Sequence, residues 1–110
     1  MKTETIIVTR ESGTTITLSF DAANLIQNTG FELRIPVQLG TYPRVVLLQA
    51  FKAHYRTAED FLARIEQFGK QQVSQWLQNS QDGSITMLPY DMKHGWGISF
   101  ENLEEPIDDS

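Results

Sequence analysis

The sequence predicts an α+β fold. The expected core is a mainly antiparallel sheet built from N- and C-terminal hairpins plus a central amphipathic strand, packed on one face by a helical pair. Three observations carry this expectation. Residues 14–20 and 31–39 alternate apolar and polar side chains with period two, residues 61–77 carry one apolar stripe at helical spacing, and strand-type runs recur at both ends of the chain.

The first strand is expected over Thr5–Thr9, a β-branched Thr-Ile-Ile-Val-Thr run. Glu11-Ser12-Gly13 supplies turn chemistry, with Gly13 free to take a positive φ. In the following run Ile16, Leu18 and Phe20 share one face, and Thr15, Thr17 and Ser19 the other. The two runs therefore read as a hairpin.

Asp21 is a cap for a short helical turn over Ala22–Asn28, which Gly30 would end. From Phe31 to Leu39 the alternation is strongest: Phe31, Leu33, Ile35, Val37 and Leu39 against Glu32, Arg34, Pro36 and Gln38. Pro36 has no N–H to give, so this strand is expected at a sheet edge or with a bulge.

After Gly40-Thr41-Tyr42, Pro43 suits the first turn of a helix, and Val45, Leu48, Phe51 and Tyr55 follow at helical spacing. A strand over 45–51 also fits, because Val45, Leu47 and Phe51 keep period two. Helix is preferred for the polar stripe Gln49, Lys52 and Arg56. A second helix should start at Thr57, its N-cap, with Glu59 and Asp60 in the first turn, and run to about Asn79. Asp60–Arg64 and Glu66–Lys70 are i,i+4 pairs, and Gly69 predicts a bend or close crossing. The last hairpin is read as a strand over Ser84–Leu88, a connection over Pro89–Gly95 and a strand over Trp96–Phe100. The predicted core is Ile16, Leu18, Leu33, Ile35, Leu48, Phe61, Ile65, Phe68, Trp76 and Ile98.

At 110 residues, 40% hydrophobic and 21% charged, the chain fits one domain over 1–102 with an acidic C-terminal tail over 103–110. The formal charge of −5 matches the five acids Glu101, Glu104, Glu105, Asp108 and Asp109, so the rest of the chain is balanced. There are no cysteines, which removes disulfides and thiolate chemistry. The N-terminus lacks an apolar leader pattern, no run is long enough to span a membrane, and a cytoplasmic location is expected.

The two histidines, His54 and His94, stand forty residues apart with no ligand spacing, so neither a metal nor another cofactor is expected. No Gly-x-Ser-x-Gly elbow, P-loop or Gly-x-Gly-x-x-Gly is present, and the pairs Glu59-Asp60 and Glu104-Glu105 are explained by capping and by the tail.

Two features stand above this background. The connection containing Tyr90, Asp91, Lys93, His94 and Trp96 combines aromatics with both charge signs, the composition of a recognition loop. Alternatively, Tyr90 and Trp96 fold back onto the core. The acid-free segment 33–58 interleaves Arg34, Arg44, Lys52 and Arg56 with Tyr42, Phe51 and Tyr55, the residue types that bind single-stranded nucleic acid.

The strand, Tyr-Pro break and helical pair over about residues 31–68 loosely resemble small accessory proteins of phages and other mobile elements, without a family-specific motif. Small size, the lack of a catalytic motif, polarised charge and the aromatic connection make the expected function a small non-enzymatic binding or regulatory protein that docks on a macromolecular partner, another protein first, as a phage or bacterial accessory factor would. Single-stranded nucleic-acid binding through 33–58 is the alternative. A small enzyme with acid–base residues drawn from distant positions is the third.

Overall fold

The computed structural model describes residues 1–79, 88–91 and 95–101, and for 88–91 only the backbone pairing is used. The predicted strand residues 84–87, the loop residues Lys93 and His94, and the tail 103–110 lie outside the described residues.

A single antiparallel sheet carries the fold. Its strands are β1 (Glu4–Thr9), β2 (Thr15–Phe20), β3 (Leu25–Gln27), β4 (Gly30–Leu39), β5 (Tyr42–Phe51), β6 (Leu88–Asp91) and β7 (Trp96–Phe100). Six of them lie in the order β1-β2-β4-β5-β7-β6, and β3 pairs β4 beside the end of β2. The α+β class and the N-terminal hairpin are as the sequence predicts. Gly13 closes that hairpin at a φ of 93°, and Ile6 stands opposite Leu18.

The predicted helix over 43–56 is replaced by a strand. β5 runs from Tyr42 to Phe51 and is hydrogen-bonded on both sides, to β4 from Leu39↔Tyr42 through Gly30↔Phe51 and to β7 from Val46↔Phe100 to Gln49↔Gly97. The run Val45-Val46-Leu47-Leu48 is the mark of such an interior strand, whose two faces are both partly covered. Pro43 therefore starts no helix and stands opposite Gln38 near the strand's first residue. A 3-10 turn, Lys52–His54, follows.

β4 is interior as well, which corrects the edge position expected from Pro36. β2 pairs residues 37–39 of β4 and β3 pairs residues 31–33. Pro36 falls in the interval between these registers, where a missing N–H costs no ladder bond. After β2, Asp21 caps only a 3-10 turn, Ala22–Asn24, accepting from Ala23 N at 2.9 Å. The predicted helical continuation to Asn28 is instead β3.

One helical rod, rather than a pair, covers one face of the sheet. It comprises α1 (Ala58–Arg64), a π turn (Ile65–Gly69) and α2 (Lys70–Asn79). Thr57 is the N-cap, its Oγ1 accepting from Asp60 N at 3.1 Å. Phe61, Ile65, Gly69, Val73 and Leu77 are all buried, a strict spacing of four. In a regular α-helix each step of four overshoots a turn by about 40°, so such a stripe would rotate off the sheet. The wider π turn takes up the excess and keeps the stripe facing inward.

The π turn also expels Phe68, a predicted core residue. Gly69 takes the inward place, and Phe68 is 37% exposed with Arg64 over its ring at 4.8 Å from the centroid. A Cβ at residue 69 would stand 3.1 Å from Ile65 Cγ2, so glycine allows the turn to close. Trp76 is half-buried against Phe100, their rings 5.5 Å apart. The other eight predicted core residues are buried, and each large one contributes about 2 kcal/mol over exposure.

At one end of the core the rings of Phe31 and Phe61 stack at 5.4 Å, with Tyr55 edge-on to Phe61 at 5.3 Å. This cluster ties the 3-10 turn and the helix start to the sheet. The neighbouring Trp96, fully buried, donates from Nε1 to Gln72 Oε1 at 2.6 Å.

Candidate functional site

The helix covers one face of the sheet, and among the described residues no helix packs over the opposite face. In β4 it displays Glu32, Arg34, Pro36 and Gln38. In β5 it displays Val45, Leu47, Gln49 and Phe51, since Val46, Leu48 and Ala50 point to the core. Cross-strand partners share a face, so Glu32 stands beside Gln49, Arg34 beside Leu47 and Gly30 beside Phe51.

The Gly30–Phe51 pair creates a depression on this face. Where a side chain would project outward from β4 there is none, and Phe51, 62% exposed, forms a wall beside the gap. Ile26, 37% exposed, stands on the same face, opposite Glu32. With Asn28, Thr29 and Gln49 they line a cleft of about 330 Å³, at the small end of ligand pockets, about 300–1,000 Å³. Gly30 cannot be otherwise, because a Cβ there would stand 2.4 Å from the Ala50 carbonyl oxygen. Glycine inside a strand commonly marks a place where something approaches the backbone closely.

A polar chain crosses the face beside the cleft. Gln49 Nε2 donates to Glu32 Oε1 at 2.9 Å, and Arg34 Nη1 reaches Glu32 Oε2 at 3.4 Å. Arg34 Nη2 meets Glu101 Oε2 at 2.6 Å. The hydrogen bond to Glu101 raises the Arg34 pKa above its ordinary value, against the opposing effect of burial. Glu101 is held in register by its N–H, which donates to Val45 O at 2.8 Å.

The two site features read from the sequence are rearranged in space. Tyr90 and Asp91 belong to strand β6 rather than to a connection, with Asp91 opposite Trp96. Trp96 lies in the core, so an exposed aromatic loop does not include it.

The basic segment is dispersed. Arg34 sits on the outer face, tied to two carboxylates. Arg44 lies over the rings of Tyr42 and Phe100 at 4.7 and 5.4 Å from their centroids, and its buried Nε has no hydrogen-bond partner among the described residues. Lys52 follows the far end of β5, roughly 26 Å from Arg44 at 3.3 Å per residue. Arg56 is exposed just before the helix.

Sequence reasoning missed the cleft, because it assigned Gly30 to a helix end and Phe51 to a helical core stripe. The available signal was the period-two pattern of Leu47, Gln49 and Phe51.

Among the described residues no cluster of His, Asp and Glu could hold a metal, and no helix is long and apolar enough to cross a membrane. Comparison with protein-family models, curated proteins and solved structures returns no match.

Proposed function

We propose that this chain is a small non-enzymatic binding protein that docks on a protein partner through the outer face of its sheet, anchored at the Gly30 cleft. The observation that carries this reading is the exposed pair Phe51 and Ile26 around a depression whose floor is backbone. Protein interfaces concentrate their binding energy where a buried anchor fills such a pocket, ringed by polar groups that exclude water. Here Glu32, Gln49, Asn28 and Thr29 form the ring. The flat surface of Val45, Leu47 and Pro36 beyond it extends the contact area.

Nucleic-acid binding draws less support from the geometry. A phosphate track needs several free cations in line, whereas Arg34 is held by Glu101 at 2.6 Å, with Glu32 farther off at 3.4 Å, and Arg44 lies over the rings of Tyr42 and Phe100.

The test is affinity capture from the native host with wild type, Phe51→Ala and Tyr42→Ala, at two salt concentrations and with nuclease in parallel. Tyr42 is 59% exposed and lies at the other end of β5, so it controls for general surface stickiness. A protein retained by wild type and Tyr42→Ala but lost with Phe51→Ala is the expected result. Capture indifferent to Phe51→Ala overturns the reading, and capture that nuclease or high salt abolishes moves the function to nucleic acid.

A further inference from the structure

The chemistry of the cleft narrows what it takes, granted the docking reading above: we infer that the Gly30 cleft receives a cationic side chain, lysine or arginine, from an extended segment of the partner protein. Four features converge on this. Among the described residues that line the cleft, Glu32 alone is charged. The Glu32 carboxylate retains acceptor capacity, because its contacts among the described residues are one amide bond from Gln49 at 2.9 Å and a long one from Arg34 at 3.4 Å. An ionised carboxylate offers about four lone-pair sites.

Arg34 does not compete strongly for it, since its short contact, 2.6 Å, goes to Glu101 on the other side. Phe51, 62% exposed, lines the same cleft, its ring in tilted contact with His54 at 6.5 Å. An aromatic face beside a carboxylate suits a cation: the carboxylate supplies the counter-charge and the ring quadrupole the second contact.

Size and shape agree. A volume of about 330 Å³ admits one long side chain, and the apolar wall of Ile26 and Phe51 would cover its methylene stem while the charged head reaches Glu32. A leucine or norleucine would fill the same volume but leave Glu32 without a new partner in a less hydrated site. Selectivity for the cation over its neutral isostere is therefore the signature of this site.

The experiment uses blocked pentapeptides with lysine, arginine or norleucine at the centre and alanine elsewhere, titrated into the ¹⁵N-labelled full chain. Saturable shifts of the Gly30, Glu32, Gln49 and Phe51 amides are expected with the lysine and arginine peptides. Affinity should fall about ten-fold with norleucine and with Glu32→Gln, the scale of one partly desolvated ion-pair and cation–π contact. Phe51→Ala should weaken both cationic peptides as well, and amides elsewhere in the spectrum report whether each variant keeps the fold.

Equal binding of norleucine and lysine, or lysine binding untouched by Glu32→Gln, overturns the cation assignment while leaving the docking reading intact. Absence of shifts with every peptide also overturns it. The docking reading itself fails only in the capture experiment with Phe51→Ala.

Discussion

Arg34 and Glu101 meet at 2.6 Å on the outer face although 67 residues separate them in the chain. The contact joins the interior strand β4 to the residue that follows β7, reaching over β5. It also shows that Arg34, in the acid-free segment 33–58, is balanced in space by carboxylates from either side of that segment, Glu32 and Glu101.

Because the side chains of Arg34 and Glu101 are 32% and 41% exposed, their pair is screened by solvent and is worth about 0.5 kcal/mol. Glu101→Gln should lower the denaturation midpoint slightly at low salt and hardly at all in high salt. A double-mutant cycle with Arg34→Ala measures the coupling, and a salt-independent loss above about 1 kcal/mol would contradict this solvent-screened picture.

Lys70 is the most enclosed charge whose partners are defined. It is 6% exposed, and its Nζ contacts Glu4 Oε1 and Glu66 Oε1 at 2.9 Å each and the Lys2 carbonyl oxygen at 3.1 Å. Burial alone would lower its pKa, but the hydrogen bonds to Glu4 and Glu66 outweigh it and raise the pKa above the ordinary 10.5. Glu66 is correspondingly lowered from 4.5, chiefly by its hydrogen bond to Lys70.

The signs follow by linkage. The Lys70 contribution is fully present below pH 10.5 and disappears as pH rises through the higher folded value. The Glu66 contribution is present above pH 4.5 and disappears as pH falls through the lower folded value. Denaturation midpoints of wild type and Glu66→Gln should differ at pH 7 and converge as the pH drops below that window. Lys70→Met should flatten both limbs, with stability at pH 7 within about 2 kcal/mol of wild type, because a well-packed apolar residue can replace a buried ion pair.

Gly30→Ala should destabilise the fold by more than about 2 kcal/mol, because the new Cβ meets a backbone oxygen that the β4–β5 register holds in place. Phe51→Ala, at an exposed position, should stay within about 1 kcal/mol of wild type. Thermal melts and urea titrations separate the two. Similar tolerance of both substitutions would mean that β4 and β5 are paired in another register.

Thr57→Ala should cost about 1 kcal/mol and Thr57→Ser much less, since either hydroxyl can accept from Asp60 N. A urea midpoint unmoved by the alanine substitution would place the start of the helix elsewhere.

Local pattern was enough wherever the sequence offered a single period. The alternation of Ile16, Leu18 and Phe20, the positive φ of Gly13 and the cap at Thr57 are properties of a few neighbouring residues, and each is found as read. Pattern was not enough for residues 45–51, where Val45, Leu48 and Phe51 satisfy a helix and Val45, Leu47 and Phe51 a strand. Pairing with β4 along the whole run and with β7 over residues 46–49 decides between them, by satisfying backbone groups that a helix would have paired internally.

The cleft depends on the same decision. Its residue types were visible one by one, but Gly30 faces Phe51 only through the β4–β5 register, and Ile26 joins them only through β3. The sequence by itself determined the class of the fold, the N-terminal hairpin and the start of the helix, because hydrophobic period, turn chemistry and capping act over a few residues. Tertiary structure alone decided that β4 and β5 are interior, that the helical stripe is reset by a π turn, and that a glycine and an exposed aromatic 21 positions apart open a cleft on the face opposite the helix. Those outcomes rest on backbone pairing and packing between segments remote in sequence, which no local period encodes.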